Sequence, residues 1–222
     1  MTEYDPFEIL TFTAPGFAEN AYLVGCGSGV AVAVDPGGEA ERMANTLDAR
    51  GWRLEAILLT HAHIDHIEGV AELKRRTGAP IHLHPDDAQW YERAADQAAI
   101  FGYPITLPPP VDRSLAHGET LTFGERTLEV RHVPGHSRGH VIFHDAAARV
   151  AFVGDVIFAG SIGRTDLPGG DYRQLMQSIR EQVLTLPDDT VLHSGHGPRT
   201  TVGHERKSNP FLVGDTGSRG FA

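Results

Sequence analysis

The chain has 222 residues, 41% of them hydrophobic and 22% charged, with 19 Lys and Arg against 29 Asp and Glu for a net charge of −10. That is enough chain to bury one substantial core, no apolar run approaches the roughly 20 residues of a membrane helix, and the sign of the charge argues against a surface built to grip a phosphate backbone. A polar, acidic start at residues 1–6, where an export signal would be basic and then apolar, gives the expectation of a cytoplasmic protein with neither nucleic acid nor membrane as partner.

In chain order, residues 7–12, 21–24 and 30–34 read as short strands separated by glycine-rich turns, with Pro15 and Pro36 as punctuation. The single cysteine, Cys26, lies in a Gly-Cys-Gly-Ser-Gly turn and has no second thiol to pair with. Residues 39–50 read as a helix, and the apolar run at 56–60 as a strand buried on both faces. A histidine-rich stretch leads into a helix that Gly78 ends after Thr77, followed by a strand at 80–83 and a helix over 86–101. Pro108, Pro109 and Pro110 then exclude regular structure.

The second half repeats this order, with strands near 120–123, 127–133, 140–144 and 149–153 and then a glycine-rich loop through Gly170. In the helix predicted over 172–184, Leu175, Met176, Ile179 and Val183 recur at helical spacing as a packing face. A last strand falls at 190–193. The expected organisation is one α/β (α+β) domain over residues 1–212, with a flexible tail at 213–222 that is small and polar from Gly214 onward. Strands followed by helix in both halves imply two mixed sheets packed together with helices outside, an αββα sandwich.

Thirteen histidines are the oddity of the composition. His61, His63, Asp65 and His66 directly follow the buried strand at 56–60, where a loop at a sheet's carboxyl end can aim side chains into one crevice. In an extended segment His61 and His63 point the same way and can share one ion, while the turn into the helix sends Asp65 and His66 to a second. Burying three imidazoles and a carboxylate together is costly unless each is paired or metal-bound. Further donors stand at predicted strand ends, each preceded by glycine: His136, Asp155 and His196. These seven residues leave room for open coordination positions, as a catalytic site requires.

The pattern His-x-His-x-Asp-His at 61–66, with His136, Asp155 and His196 in order behind it, resembles the metallo-β-lactamase superfamily over most of the chain. The resemblance implies the metallo-β-lactamase fold, with a first metal site of His61, His63 and His136, a second of Asp65, His66 and His196, and Asp155 bridging them. The stretch Gly-Asp-Val-Ile-Phe-Ala-Gly-Ser-Ile-Gly-Arg-Thr-Asp at 154–166 and Asn209-Pro210-Phe211-Leu212 are similar to the small glyoxalase II-like hydrolases. By that likeness the chain is a hydroxyacylglutathione hydrolase-like enzyme. Its substrate is a small-molecule thioester such as S-lactoylglutathione, cleaved to a 2-hydroxy acid and a free thiol, and its cofactor is two divalent ions, zinc first, with iron or manganese as alternatives.

A metal-bound water with its pKa lowered from 15.7 to about 7 removes the need for a protein nucleophile, and Asp65 is expected to orient that water and manage its proton. Full-length glyoxalase II carries a helical C-terminal extension that helps hold glutathione, whereas little chain follows His196. Arg164, Arg206 and Lys207 are therefore the candidates for a substrate carboxylate.

The alternative is a persulfide dioxygenase, a resembling class that holds one iron by two histidines and an aspartate, oxidises glutathione persulfide and shares a Gly-Arg-Thr-Asp segment like that at 163–166. An exported β-lactamase does not fit the acidic start, nor a nuclease the charge. His82 and His84 share a strand face without a carboxylate partner and are read as structural, as are His117, His132, His144, His193 and His204; His140 is placed beside the site. Asp35, before Pro36, is read either as a carboxylate acceptor for a ligand imidazole or as a turn former.

Overall fold

The structure is a computed structural model that describes residues 7–102 and 104–213. Its first six strands form one mixed sheet in chain order: β1 (Glu8–Thr13), β2 (Asn20–Gly25), β3 (Val30–Val34), β4 (Arg53–Leu58), β5 (Ile81–Leu83) and β6 (Arg113–Ser114). Pairing is antiparallel from β1 to β3 and parallel from β3 to β6.

A strand's period of two sets the layering. In β3, Val30, Val32 and Val34 point into the core between the sheets, while Ala31 and Ala33 point to the helices outside. In β4 the register with β3 slips by one residue, Leu54 opposite Ala31 and Ala56 opposite Val32. Glu55 is the extra residue of a bulge, which lets Leu54 face the helices and Ala56 the inter-sheet core.

The second sheet is built from β7 (Thr120–Phe123), β8 (Arg126–His132), β9 (Val141–Asp145), β10 (Val150–Gly154), β13 (Val191–Ser194) and β14 (Thr200–Thr201), in the order β14-β13-β10-β9-β8-β7. A separate hairpin, β11 (Ile157–Phe158) with β12 (Ser161–Ile162), opens the stretch predicted as loop. Leu128, Val130, Phe143 and Phe152 meet the valines of β3 between the sheets.

Outside the first sheet lie α1 (Ala40–Arg50), α2 (Ile64–Ile67), α3 (Val70–Thr77), α4 (Ala88–Glu92) and α5 (Ala94–Ile100); outside the second lies α6 (Tyr172–Ser178), continued as a wider helical turn over Ile179–Val183. Leu175, Met176, Ile179 and Val183 are all buried there. The αββα sandwich and its two mixed sheets are thus present as expected.

Three predicted elements differ in detail. The helix after the histidine stretch breaks at Gly69, where a Cβ would lie 2.0 Å from the Pro36 carbonyl and 2.2 Å from that of Gly37, so only glycine fits at the break. The helix over 86–101 starts as a 3-10 turn at Pro85–Asp87 and divides at Arg93. Beyond β14, α7 (Val202–Ser208) and α8 (Pro210–Val213) were not foreseen; Val213, assigned to the tail, closes α8, and the rest of the tail, 214–222, lies outside the described residues. No helix among the described residues is long and apolar enough to cross a membrane.

Candidate metal centre

All the candidate donors leave their sheets at one end. The loop after β4 carries His61, His63, Asp65 and His66, the turn after β8 carries His136, and the ends of β10 and β13 carry Asp155 and His196. Tyr22 Oη and Asn20 Nδ2 donate to the Ser194 carbonyl at 2.7 and 3.2 Å, and Asn20 also reaches the Gly197 carbonyl. The turn bearing His196 is thereby bound to β2. At Gly195 a Cβ would lie 2.3 Å from Asp155 Oδ1 and 2.7 Å from the His66 ring, so only glycine lets this turn approach the cluster.

Ring protons are fixed by acceptors on the outer side of each imidazole. His66 Nδ1 donates to Asp35 Oδ2 at 3.0 Å, His136 Nδ1 to the Arg164 carbonyl at 2.8 Å, and His196 Nδ1 to the Ala18 carbonyl at 3.3 Å. Thr60 Oγ1 donates to Asp35 Oδ2 at 2.6 Å and so accepts from His61 Nδ1 at 3.0 Å. Each of these four rings consequently turns an Nε2 lone pair inward, the arrangement usual for metal-ligating histidines.

His61 Nε2, His136 Nε2 and His63 Nδ1 converge at separations of 3.1, 3.3 and 2.8 Å. With the ring protons of His61 and His136 committed elsewhere, the lone pairs of these two face each other with no proton between them, which only a cation resolves. Nitrogen ligands at about 2.0–2.1 Å from a tetrahedral ion stand about 3.3 Å apart. Burial and the neighbouring imidazoles hold His61 well below the usual histidine pKa, and burial with His136 brings His63 to about 3. Neutral imidazole is the metal-binding form.

The second group is Asp65, His66 and His196, with Asp65 Oδ2 3.2 Å from His196 Nε2 and 3.8 Å from His66 Nε2. Asp155 stands between the groups, Oδ1 3.4 Å from His66 Nε2 and Oδ2 3.6 Å from both His136 Nε2 and His196 Nε2. His66 Nε2 and Asp155 Oδ1 are buried without a hydrogen-bond partner, a costly state that a cation between them relieves. Burial opposes charge on both, yet Asp65 and Asp155 hold His66 well above the usual histidine value, so that a metal bound there would displace its Nε2 proton, while Asp155 is held far below the carboxylate range by His66 and His136. Two clusters able to hold one metal ion each therefore lie side by side, and the donors fit hard or borderline divalent ions.

Supporting residues complete the centre. Asp35, at φ 47°, accepts from the Thr60 backbone and hydroxyl and from His66, the acceptor role of its two readings. His140 Nε2 accepts from the Asp155 backbone at 3.1 Å and its ring stacks on His61 at 4.7 Å.

Two supporting residues were missed. Asp87 Oδ2 accepts from Ala62 N and Ser137 Oγ, and its Oδ1 from Gly139 N. Glu19 is fully buried, 3.9 Å from His66 Nδ1, with neither carboxyl oxygen hydrogen-bonded, and burial raises its pKa well above the carboxylate range. Single acidic residues in turns carry no local pattern that could have marked either.

A cavity of about 390 Å³ opens over His63, Asp65, His136, Asp155 and His196, and Arg164 is part of its wall. Arg164 also holds Asp166 through two nitrogens, each at 2.7 Å. Arg206 and Lys207 do not line this cavity: Arg206 points to Asp188 and the Leu184 carbonyl, tying α7 to the preceding loop. His82, His84 and His193 lie outside the cluster; His84 stacks on His132 at 4.2 Å and, against the expectation that it has no carboxylate partner, stands 3.8 Å from Asp86, while His193 packs on Phe152.

The family described as "Metallo-beta-lactamase superfamily" matches residues 14–196. Hydroxyacylglutathione hydrolase GloC of Haemophilus influenzae is 41% identical over 207 residues, covering 92% of this chain and 97% of that protein. The crystal structure of BLEG-1 B3 metallo-beta-lactamase is similar at a TM-score of 0.88 and 41% identity, covering 93% of this chain and 100% of the other. That of TTHA1623 in a di-iron-bound form is similar at 0.83 and 45% identity, covering 91% and 100%.

Proposed function

The chain belongs to the metallo-β-lactamase superfamily, and from that premise we propose that this metallohydrolase cleaves a thioester, such as S-lactoylglutathione, to a 2-hydroxy acid and a free thiol. The observation that carries the hydrolase reading is the pair of adjacent donor groups at the floor of an open cavity. The relation to a hydroxyacylglutathione hydrolase along nearly the whole of both chains supports the thioester.

In this reading His61, His63 and His136 would hold one ion and Asp65, His66 and His196 the other, with Asp155 a donor available to either. With ions bound, the site would supply a water whose pKa falls from 15.7 to about 7 and a Lewis acid for the carbonyl. Asp65 is the catalytic residue. Burial alone would raise its pKa, but His66 and His196 hold it below the usual carboxylate value. It therefore stays ionised, accepts a proton from the attacking water and returns it to the leaving sulfur. Asp35, through His66, and the Arg164 carbonyl, through His136, keep the ring lone pairs aimed inward. Arg164 on the wall is a candidate for a substrate carboxylate at the mouth.

The test is purified protein of measured metal content, assayed for S-lactoylglutathione cleavage and for oxygen uptake with glutathione persulfide. Cleavage with two ions per chain supports the proposal, and oxygen uptake with one iron and no cleavage refutes it. The likeness to BLEG-1 favours a cyclic amide as second substrate, so a chromogenic cephalosporin belongs in the same assay.

A further inference from the structure

The cavity over the candidate metal donors has two kinds of surface. Its floor is imidazole and carboxylate, whereas Phe17, Ile64, Phe158, Ile162 and Leu167 make its walls and Phe101 its rim. Phe158, on the β11–β12 hairpin, has its ring 6.0 Å from that of His196, so the apolar wall begins beside the second donor group. Across the mouth Phe17 meets Phe101 edge to face at 5.4 Å, and Phe101 stays 56% exposed beside Ile100 at 78%. Exposed aromatic and aliphatic carbon at the lip of a pocket marks a surface that binds carbon.

Polar recognition on these walls is largely committed. Gln97 Nε2 donates to the carbonyls of Ala62 and Trp90, both at 2.9 Å. Arg164 is the one Lys or Arg among the described lining residues, and its guanidinium reaches outward to Asp166, with 60% of the side chain exposed. A carboxylate can meet it only at the rim. The volume of about 390 Å³ is near the small end of the roughly 300–1,000 Å³ of ligand pockets. It encloses one short arm of a substrate while a longer arm extends through the mouth.

We propose that the site selects its thioester by an apolar acyl arm, a short-to-medium alkyl or aryl group laid against Phe158, Ile162 and Leu167, with the thiol arm leaving toward solvent. This rests on the thioester-hydrolase reading and ranks S-lactoylglutathione, whose short acyl arm carries a hydroxyl, behind thioesters with a purely apolar acyl arm. The reaction is plain hydrolysis: a water oxygen bonds to the acyl carbon, the C–S bond breaks, and the products are a carboxylic acid and a thiol, with no further reactant.

The experiment uses the holoenzyme and the acetyl, butyryl, hexanoyl and phenylacetyl thioesters of one neutral thiol, N-acetylcysteamine, beside S-lactoylglutathione. Burial of a methylene is worth about a fourfold gain in kcat/KM, so the series should rise from acetyl to hexanoyl. Phe158→Ser should lower the hexanoyl-to-acetyl ratio about tenfold, and Leu167→Ser, in a partly exposed loop, should lower it in the same direction should the first variant fold poorly. Calorimetry gives a readout apart from turnover: the non-hydrolysable hexanoyl amide should bind more tightly than the acetyl amide, with the difference shrinking in Phe158→Ser.

A flat or falling series overturns the proposal. So does S-lactoylglutathione exceeding the hexanoyl ester tenfold with a KM that rises in Arg164→Ala, since the substrate is then read by charge. Absence of cleavage of all five thioesters defeats the hydrolase reading itself, and the acyl preference falls with it.

Discussion

Asp35 accepts three hydrogen bonds through one carboxylate, two from Thr60 and one from His66. Asp35→Asn replaces one acceptor oxygen with a donor and unlocks the His61 and His66 rings together. Metal affinity should fall about 10–100-fold, measured by competition with a chromophoric chelator. Asp65→Ala should abolish turnover while the imidazole group of His61, His63 and His136 still takes up one ion, checked by metal analysis of the purified variant. The histidine stretch was legible because its spacing is local: i and i+2 on an extended segment meet whatever the rest of the chain does. Glu19 was not legible, because it acquires its place only when the β1–β2 turn folds against Asp35 and His66. Arg206 follows the same logic in reverse, since Asp188 takes it up once α7 packs back on the loop.

Between elements, the 3-10 turn Pro85–Asp87 is the clamp of the centre. Asp87 ties the backbone between His61 and His63 to the loop that presents His136. All three partners are donors, so in Asp87→Asn at least one must face an amide NH2. The variant should lose about 1–3 kcal/mol of stability, seen in thermal unfolding. It should also bind the first equivalent of metal more weakly, seen by titration, which loss of fold stability alone does not require. Strands were readable as apolar runs between glycine and proline turns, as in β3, whose valines and alanines the structure then divides between the two layers. The helix breaks at Gly69 and Arg93 were not; at Gly69 the residue type answers to the Pro36 and Gly37 carbonyls, which another loop contributes and local propensity does not register.

At the scale of the molecule the donors come from both sheets, the His61–His66 loop from the first and His136, Asp155 and His196 from the second. Bound ions would fasten the sheets at that end, so chelation should lower the Tm, with excess zinc restoring it; an ion at about 1,000 times its Kd stabilises by about 4 kcal/mol. Acid stability should follow buried imidazoles outside the donor groups. Burial, with Arg113 for His82 and Arg199 for His193, lowers both from 6.5 to about 4. A histidine depressed in the folded state favours folding above the unfolded pKa, and that contribution is lost as pH falls from 6.5 toward 4. The Tm should drop across this window, with a shallower drop in His82→Phe. The central claim is that two ions act together in one hydrolytic site, and the direct measurement is S-lactoylglutathione cleavage by metal-free protein as zinc is added from none to two equivalents per chain. Turnover should stay low at one equivalent and rise steeply as the second binds. Full activity at one equivalent, or none at two, would contradict that claim.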